Sequence, residues 1–199
     1  MSIKPVLTGF AGRKAICDTE TYPNYILIKF ENVETGEVTQ FVVDETRNDS
    51  KAAFAYFQSL SAVVGYNSHG FDDFILDLAF KGVDSQTIYE LADLLINGDA
   101  RRGGSPFLDR QGNPKHGHPL SIDLAQILRR KVGEKDGKPI FSFPSLKSLG
   151  NRFGYPHLQT LPIALGTLLI DEQKALIDSY NDHDVAITRL LVQHLDAAL

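Results

Sequence analysis

The chain has 199 residues, 43% hydrophobic and 23% charged, the make-up of one globular domain with enough apolar material for a sizeable core. Its single cysteine, Cys17, excludes a disulfide framework and a cysteine-based zinc site, and reads as a small buried apolar residue. A net charge of −5 argues against a general nucleic-acid binder, because phosphate contacts call for a basic surface.

In chain order, Lys14 to Asp18, Asn24 to Glu31 and Val38 to Val43 are apolar, β-branched stretches that predict an opening strand and a hairpin, the last pair joined through Glu34-Thr35-Gly36-Glu37. Asp49-Ser50 then predicts a capped helix with Ala52, Phe54, Phe57 and Leu60 on one face, followed by a short buried strand over 62–66. Helices fit 72–81 and 85–96, the second entered through Asp84-Ser85. Residues 97–119 are rich in Gly, Pro and charge and read as a loop excursion carrying Arg101, Arg102, Arg110 and Lys115. A strand over 120–124, a short helix to Arg130, a polar loop over 131–139, a helix over 146–153 and a long amphipathic helix over 171–195 complete the reading. Strands first, then alternating helices and strands, indicate an α/β domain with a mixed sheet covered by helices. The first residues lack the apolar core of a secretory signal and no stretch has the length of a membrane span, so a cytoplasmic location is expected.

Three acidic elements stand out. In Asp18-Thr19-Glu20, strand alternation sends both carboxylates to one side and Thr19 to the other, a geometry suited to metal ligation. Asn67-Ser68-His69-Gly70-Phe71-Asp72 lies where the buried strand turns into a helix that Asp72 would begin. In Tyr180-Asn181-Asp182-His183-Asp184, Tyr180 and Asp184 are four apart on one helical face.

The D-x-E, N-x-x-G-F-D and Y-x-x-x-D elements, in this order, resemble the three exonuclease motifs of the DEDD superfamily, closest to the proofreading domain of family B DNA polymerases, often phage-encoded. Ser145-Leu146-Lys147-Ser148-Leu149 is similar to the S/T-L-x-x-hydrophobic element between the second and third motifs. The resemblance spans nearly the whole chain. It implies a ribonuclease-H-like fold with helices on both faces of a mixed sheet, 3′–5′ exonuclease activity on the end of single-stranded DNA, and two magnesium or manganese ions. The histidine subtype carries its base five residues before the last Asp, where this chain has Ser179; His183 adjoins Asp184, projects about 100° away and reads as an exposed helix residue. Tyr180 is the candidate instead, which points to the tyrosine subtype.

Phosphodiester hydrolysis needs a nucleophile at neutral pH and stabilisation of both the attacking and leaving oxygens, and two divalent cations supply both. Carboxylates are the hard oxygen ligands that magnesium or manganese prefers. By the resemblance, Asp18 bridges the two ions, Glu20 and Asp184 complete the site of the water-activating ion, Asp72 serves the second, and Tyr180 orients the attacking water. Two such ions would bring the chain's −5 to about −1 and turn their site electropositive. The family pattern also carries substrate contacts onto Thr21, Asn67, Phe71, Ser145 and Leu146, polar groups for the terminal sugar or phosphate and apolar ones for the last bases. Arg129, Arg130 and Lys131 read as solvated loop residues or as phosphate contacts for the trailing strand. Asp73, Asp123 and Asp182 are left outside the ligand set. A DNA polymerase or another replication protein is the expected protein partner. RNA trimming by the same carboxylates, and a non-catalytic nucleic-acid-binding or replisome-binding module, are the alternative readings.

Overall fold

The computed structural model describes Leu7, residues 11–97 and residues 104–197. Five strands form one mixed sheet: β1 (Lys14–Tyr22), β2 (Tyr25–Asn32), β3 (Val38–Asp44), β4 (Ala62–Gly65) and β5 (Leu120–Asp123), in the order β3-β2-β1-β4-β5. The first three are antiparallel, with β1 and β2 joined through Pro23-Asn24 so that Tyr22 faces Tyr25; β4 then pairs with β1, and β5 with β4, in parallel. Parallel neighbours need long crossovers. Here α1 (Ser50–Gln58) leads into β4, while α2 (Asp72–Phe80) and α3 (Ser85–Asn97) lie between β4 and β5.

Strand β1 runs four residues beyond the expected end at Asp18, because Thr19, Thr21 and Tyr22 favour extended backbone and find the wholly buried β2 alongside. Asp18-Thr19-Glu20 therefore lies inside the ladder, with Asp18 opposite Lys29 and Glu20 opposite Leu27. Alternation divides the strand between two layers. Ala15 and Cys17 pack with Phe57 of α1, Ile75 and Leu76 of α2 and Ile88 of α3, and Cys17 is buried as expected. The other face is covered by α4 (Leu124–Leu128), α5 (Leu146–Arg152) and α6 (Asp171–Ala197): Ala62 and Val64 meet Leu124, Leu149 and Leu191, and Tyr22 and Leu27 meet Ile177. The protein is thus α/β, a mixed sheet with helices on both faces.

Two local expectations fail. Asp49 makes no side-chain cap on α1; its carboxylate accepts from the Val42 N–H at 3.0 Å and pairs with Arg47, tying the helix start to β3. Residues 131–139, expected as a polar loop, belong to a β-hairpin of β6 (Arg130–Lys135) and β7 (Lys138–Ser142). Its turn is Asp136-Gly137 with both φ values positive, as a type I′ two-residue hairpin turn requires.

The excursion over 104–119 contains no helix or strand, only a bridge between Leu108 and Pro114, and Phe107 anchors it against Phe57 and Phe80. Arg101 and Arg102 lie outside the described residues. No described helix is long and apolar enough to cross a membrane.

Candidate active site

The residues that the family resemblance assigns as ligands, catalytic group and substrate contacts all line one cleft of about 980 Å³: Asp18, Glu20 and Thr21 from β1; Asn67, Phe71 and Asp72 from the turn after β4; Ser145 and Leu146 from the start of α5; and Tyr180 and Asp184 from α6, whereas Arg129, Arg130 and Lys131 lie outside it. Within it, carboxylate oxygens of Asp18, Glu20 and Asp184 all lie within 4.8 Å of one another. Strand alternation supplies the first two, and one turn of α6 brings Asp184 beside Tyr180.

Asp72, on the same cleft, is fastened to β1 itself. Its Oδ1 accepts from the Thr19 N–H at 3.0 Å and the Thr19 hydroxyl at 2.7 Å, so the residue between the two strand acids fastens the start of α2 to β1. Asp72 is not one of the three acids that close together, but its charge contributes to raising the pKa of Asp18.

The acids occupy a poor solvent for charge. Burial raises Asp18 well above the carboxylate range, and neighbouring Asp72, Glu20 and Asp184 raise it further. Burial and Asp184 push Glu20 to about 8, burial takes Asp72 to about 7 against the Thr19 hydrogen bonds, and burial raises Asp184 against Lys147 and Tyr180. Burial, then Asp184 and Glu20, also drive the Tyr180 phenol upward, so it keeps its proton at any physiological pH. A compact, all-oxygen and strongly repelling donor set fits hard divalent cations, whose charge would relieve the repulsion.

Three further residues of this neighbourhood carry contacts to which the motifs assign no role. Asn181, fully buried, donates from Nδ2 to Asp18 Oδ2 at 2.6 Å, while its own Oδ1 is buried without a hydrogen-bond partner. Lys147 Nζ donates to the Tyr180 hydroxyl at 2.5 Å and lies 4.4 Å from the centre of the ring. Both sit within the motif strings, Asn181 beside Tyr180 and Asp182, and Lys147 beside Leu146 and Ser148. Lys29, 1% exposed, reaches from β2 to α6 and meets Asp178 Oδ1 at 2.8 Å and Asp182 Oδ1 at 2.5 Å. Its alternation with apolar neighbours in a strand buried on both faces was the only sign of that burial.

The remaining positions have evident local tasks. Asn67 adopts φ 60, a left-handed conformation Asn tolerates, and its N–H donates to Asp123 Oδ1 at 2.8 Å. The same oxygen caps α4 through Ala125, Asp73 accepts from the Ser121 hydroxyl, and Ser145 caps α5 by accepting from the Ser148 N–H. His183 is not the exposed residue expected. It is half-buried, with Nδ1 2.8 Å from the Tyr155 hydroxyl and Nε2 2.7 Å from Gln159, because residues 155–159 fold back over α6.

The turn bearing Asn67 and Asp72 depends on a glycine. A Cβ on Gly65 would lie 2.6 Å from Ser68 Cβ, an atom fixed to the backbone of the following 3-10 turn. Gly65→Ala should therefore cost about 1–3 kcal/mol through overpacking. Thermal unfolding should register this as a melting temperature lower by about 2–10 °C; an unchanged value would mean that the turn has room to move.

Compared with known proteins, the chain matches no family model, no curated protein and no solved structure.

Proposed function

We propose that the chain is a metal-dependent 3′–5′ exonuclease of the DEDD type, tyrosine subtype, with a ribonuclease-H-like fold, acting on the terminal phosphodiester of single-stranded DNA. One observation carries the reading: the motif acids, with Asp184 lying 166 residues beyond Asp18 and 164 beyond Glu20, meet as a carboxylate triad with Tyr180 beside it in a cleft that the motif-derived substrate positions also line. The mixed sheet with helices on both faces is compatible with that fold.

Asp18, Glu20 and Asp184 would hold one cation, with Asp18 shared and Asp72 serving a second. Bound magnesium or manganese would supply the nucleophile at neutral pH and offset charge on the attacking and leaving oxygens. The chain's own groups do the rest. Asn181 fixes the rotamer of Asp18 through its amide. Tyr180 retains its proton and, held by Lys147, presents its hydroxyl to orient water rather than to deprotonate it. Phe71 and Leu146 offer apolar walls to the last bases, and Thr21 and Asn67 offer polar atoms to the terminal sugar.

The deciding experiment incubates 5′-labelled single-stranded DNA and RNA of one sequence with magnesium, with manganese and with excess chelator. A ladder shortening from the 3′ end of the DNA is expected only with metal. Full activity in chelator would rule out the two-cation chemistry, preferential loss of RNA would make the enzyme a ribonuclease, and two intact substrates in both metals would leave a binding module.

A further inference from the structure

The β6–β7 hairpin has no buried face: every residue in both strands is exposed except half-buried Gly133. An isolated two-stranded ribbon is marginal by itself. This one is held at its feet, and both feet stand on the cleft. The entering chain passes Ala125 and Gln126, the leaving chain passes Phe143 and Pro144, and all four line the cavity that contains the acids. The Tyr66 hydroxyl donates to the Pro144 carbonyl and secures the second foot.

The ribbon's chemistry differs from the rest of the surface. From Arg129 to Ser142 it carries five cations, Arg129, Arg130, Lys131, Lys135 and Lys138, against Glu134 and Asp136, a local +3 in a chain of −5. Only Lys131 is tied to one of those acids, by an exposed pair with Glu134 at 3.0 Å that contributes little. Arg129 is pre-positioned, donating to Gln126 Oε1 at 3.0 Å with its guanidinium 4.4 Å from the Phe141 ring centre. Phe143 remains 48% exposed at the rim.

Cations interleaved with exposed aromatic rings beside a cleft suit a polyanion with stackable faces. Lysines along both strands discourage a peptide from pairing with the edges. We infer that this hairpin is a docking arm for single-stranded nucleic acid, its cations meeting successive phosphates and Phe143 stacking on a base at the entrance to the cleft. The identity of the occupant rests on the nuclease reading; the binding itself does not require cleavage.

Binding of 5′-fluorescein (dT)12 to the full chain, followed by anisotropy in chelator across a salt series, tests this without hydrolysis. Replacing Arg130, Lys131, Lys135 and Lys138 together by Ser should weaken binding at least about tenfold at low salt and flatten the log–log salt slope by about 2–3, at roughly 0.7 per lost single-strand contact. Phe143→Ala should weaken binding about 5–100-fold with the slope retained. These side chains are exposed, so circular dichroism and melting should match the parent, and Lys51→Ser should change nothing. Parental affinity and slope in both hairpin variants would overturn the proposal. So would capture of the chain by phosphatidylserine vesicles without oligonucleotide binding. A chain that binds through the hairpin yet cleaves nothing would sink the nuclease reading alone, and one that cleaves with both variants binding like the parent would sink the hairpin alone.

Discussion

Asp18→Ala is expected to lower the exonuclease rate by about 10³-fold or more, at least about 4 kcal/mol of activation free energy, while the chain stays folded. Asp18 is the hub of the acidic group: it lies within 4.8 Å of Glu20 and Asp184, accepts from Asn181, and feels the charge of Asp72. Asp184→Ala should behave similarly. Stability should move the opposite way in chelator. Unfolded carboxyls ionise near pH 4, whereas in the folded chain Asp72 holds its proton to about 7 and Glu20 to about 8. The folded state thus binds more protons over that interval and loses stability as pH rises through it. Removing Asp18 relieves the repulsion, so its melting temperature should exceed the parent's at pH 8, with a smaller difference at pH 5. Parental turnover would remove Asp18 from the mechanism. A variant less stable than the parent at pH 8 would mean that the Asn181 bond outweighs the repulsion.

Tyr180→Phe should cost about 10–1,000-fold in turnover, less than loss of a ligand, because it removes one orienting hydroxyl and leaves the ring in place. Tyr180 is 7% exposed, so Phe preserves the packing, and the metal dependence and single-strand affinity should stay near parental values. The phenol's pKa is driven upward by burial and the acids, so the pH profile should not acquire or lose an ionisation with the substitution. Rates measured across pH for both proteins decide this. A fully active Tyr180→Phe, or a greater loss in His183→Ala, would remove the tyrosine-subtype reading. His183, held by Tyr155 and Gln159, should matter chiefly for seating the segment that crosses α6.

The legible parts of this chain were those where pattern and chemistry coincide. Alternation in Asp18-Thr19-Glu20 brings the Asp18 and Glu20 carboxylates together, while Thr19 bonds Asp72, and helical spacing puts Tyr180 with Asp184 on the wall of one cleft. The hairpin was illegible to periodicity because neither strand has a buried face, although Asp136-Gly137 is a turn signal by itself. The extent of β1 was missed because carboxylates interrupt its apolar pattern. Lys29, Asn181 and Lys147 escape for a different reason: each acts on a residue far away in sequence, a partner that local pattern does not name.

Lys29 also limits how α6 can move. Its ammonium sits between Asp178 and Asp182, one turn apart, and the neighbouring positions on that row are Lys174 and Ala186. Sliding the helix by one turn, about 5.4 Å, would exchange one acid for a like charge in one direction and for a methyl group in the other. The ammonium therefore works as a detent, with a single axial setting in which both of its neighbours are anions. Tyr180 and Asp184 ride on the same rod, so the wall of the cleft that they form is latched by a contact outside it.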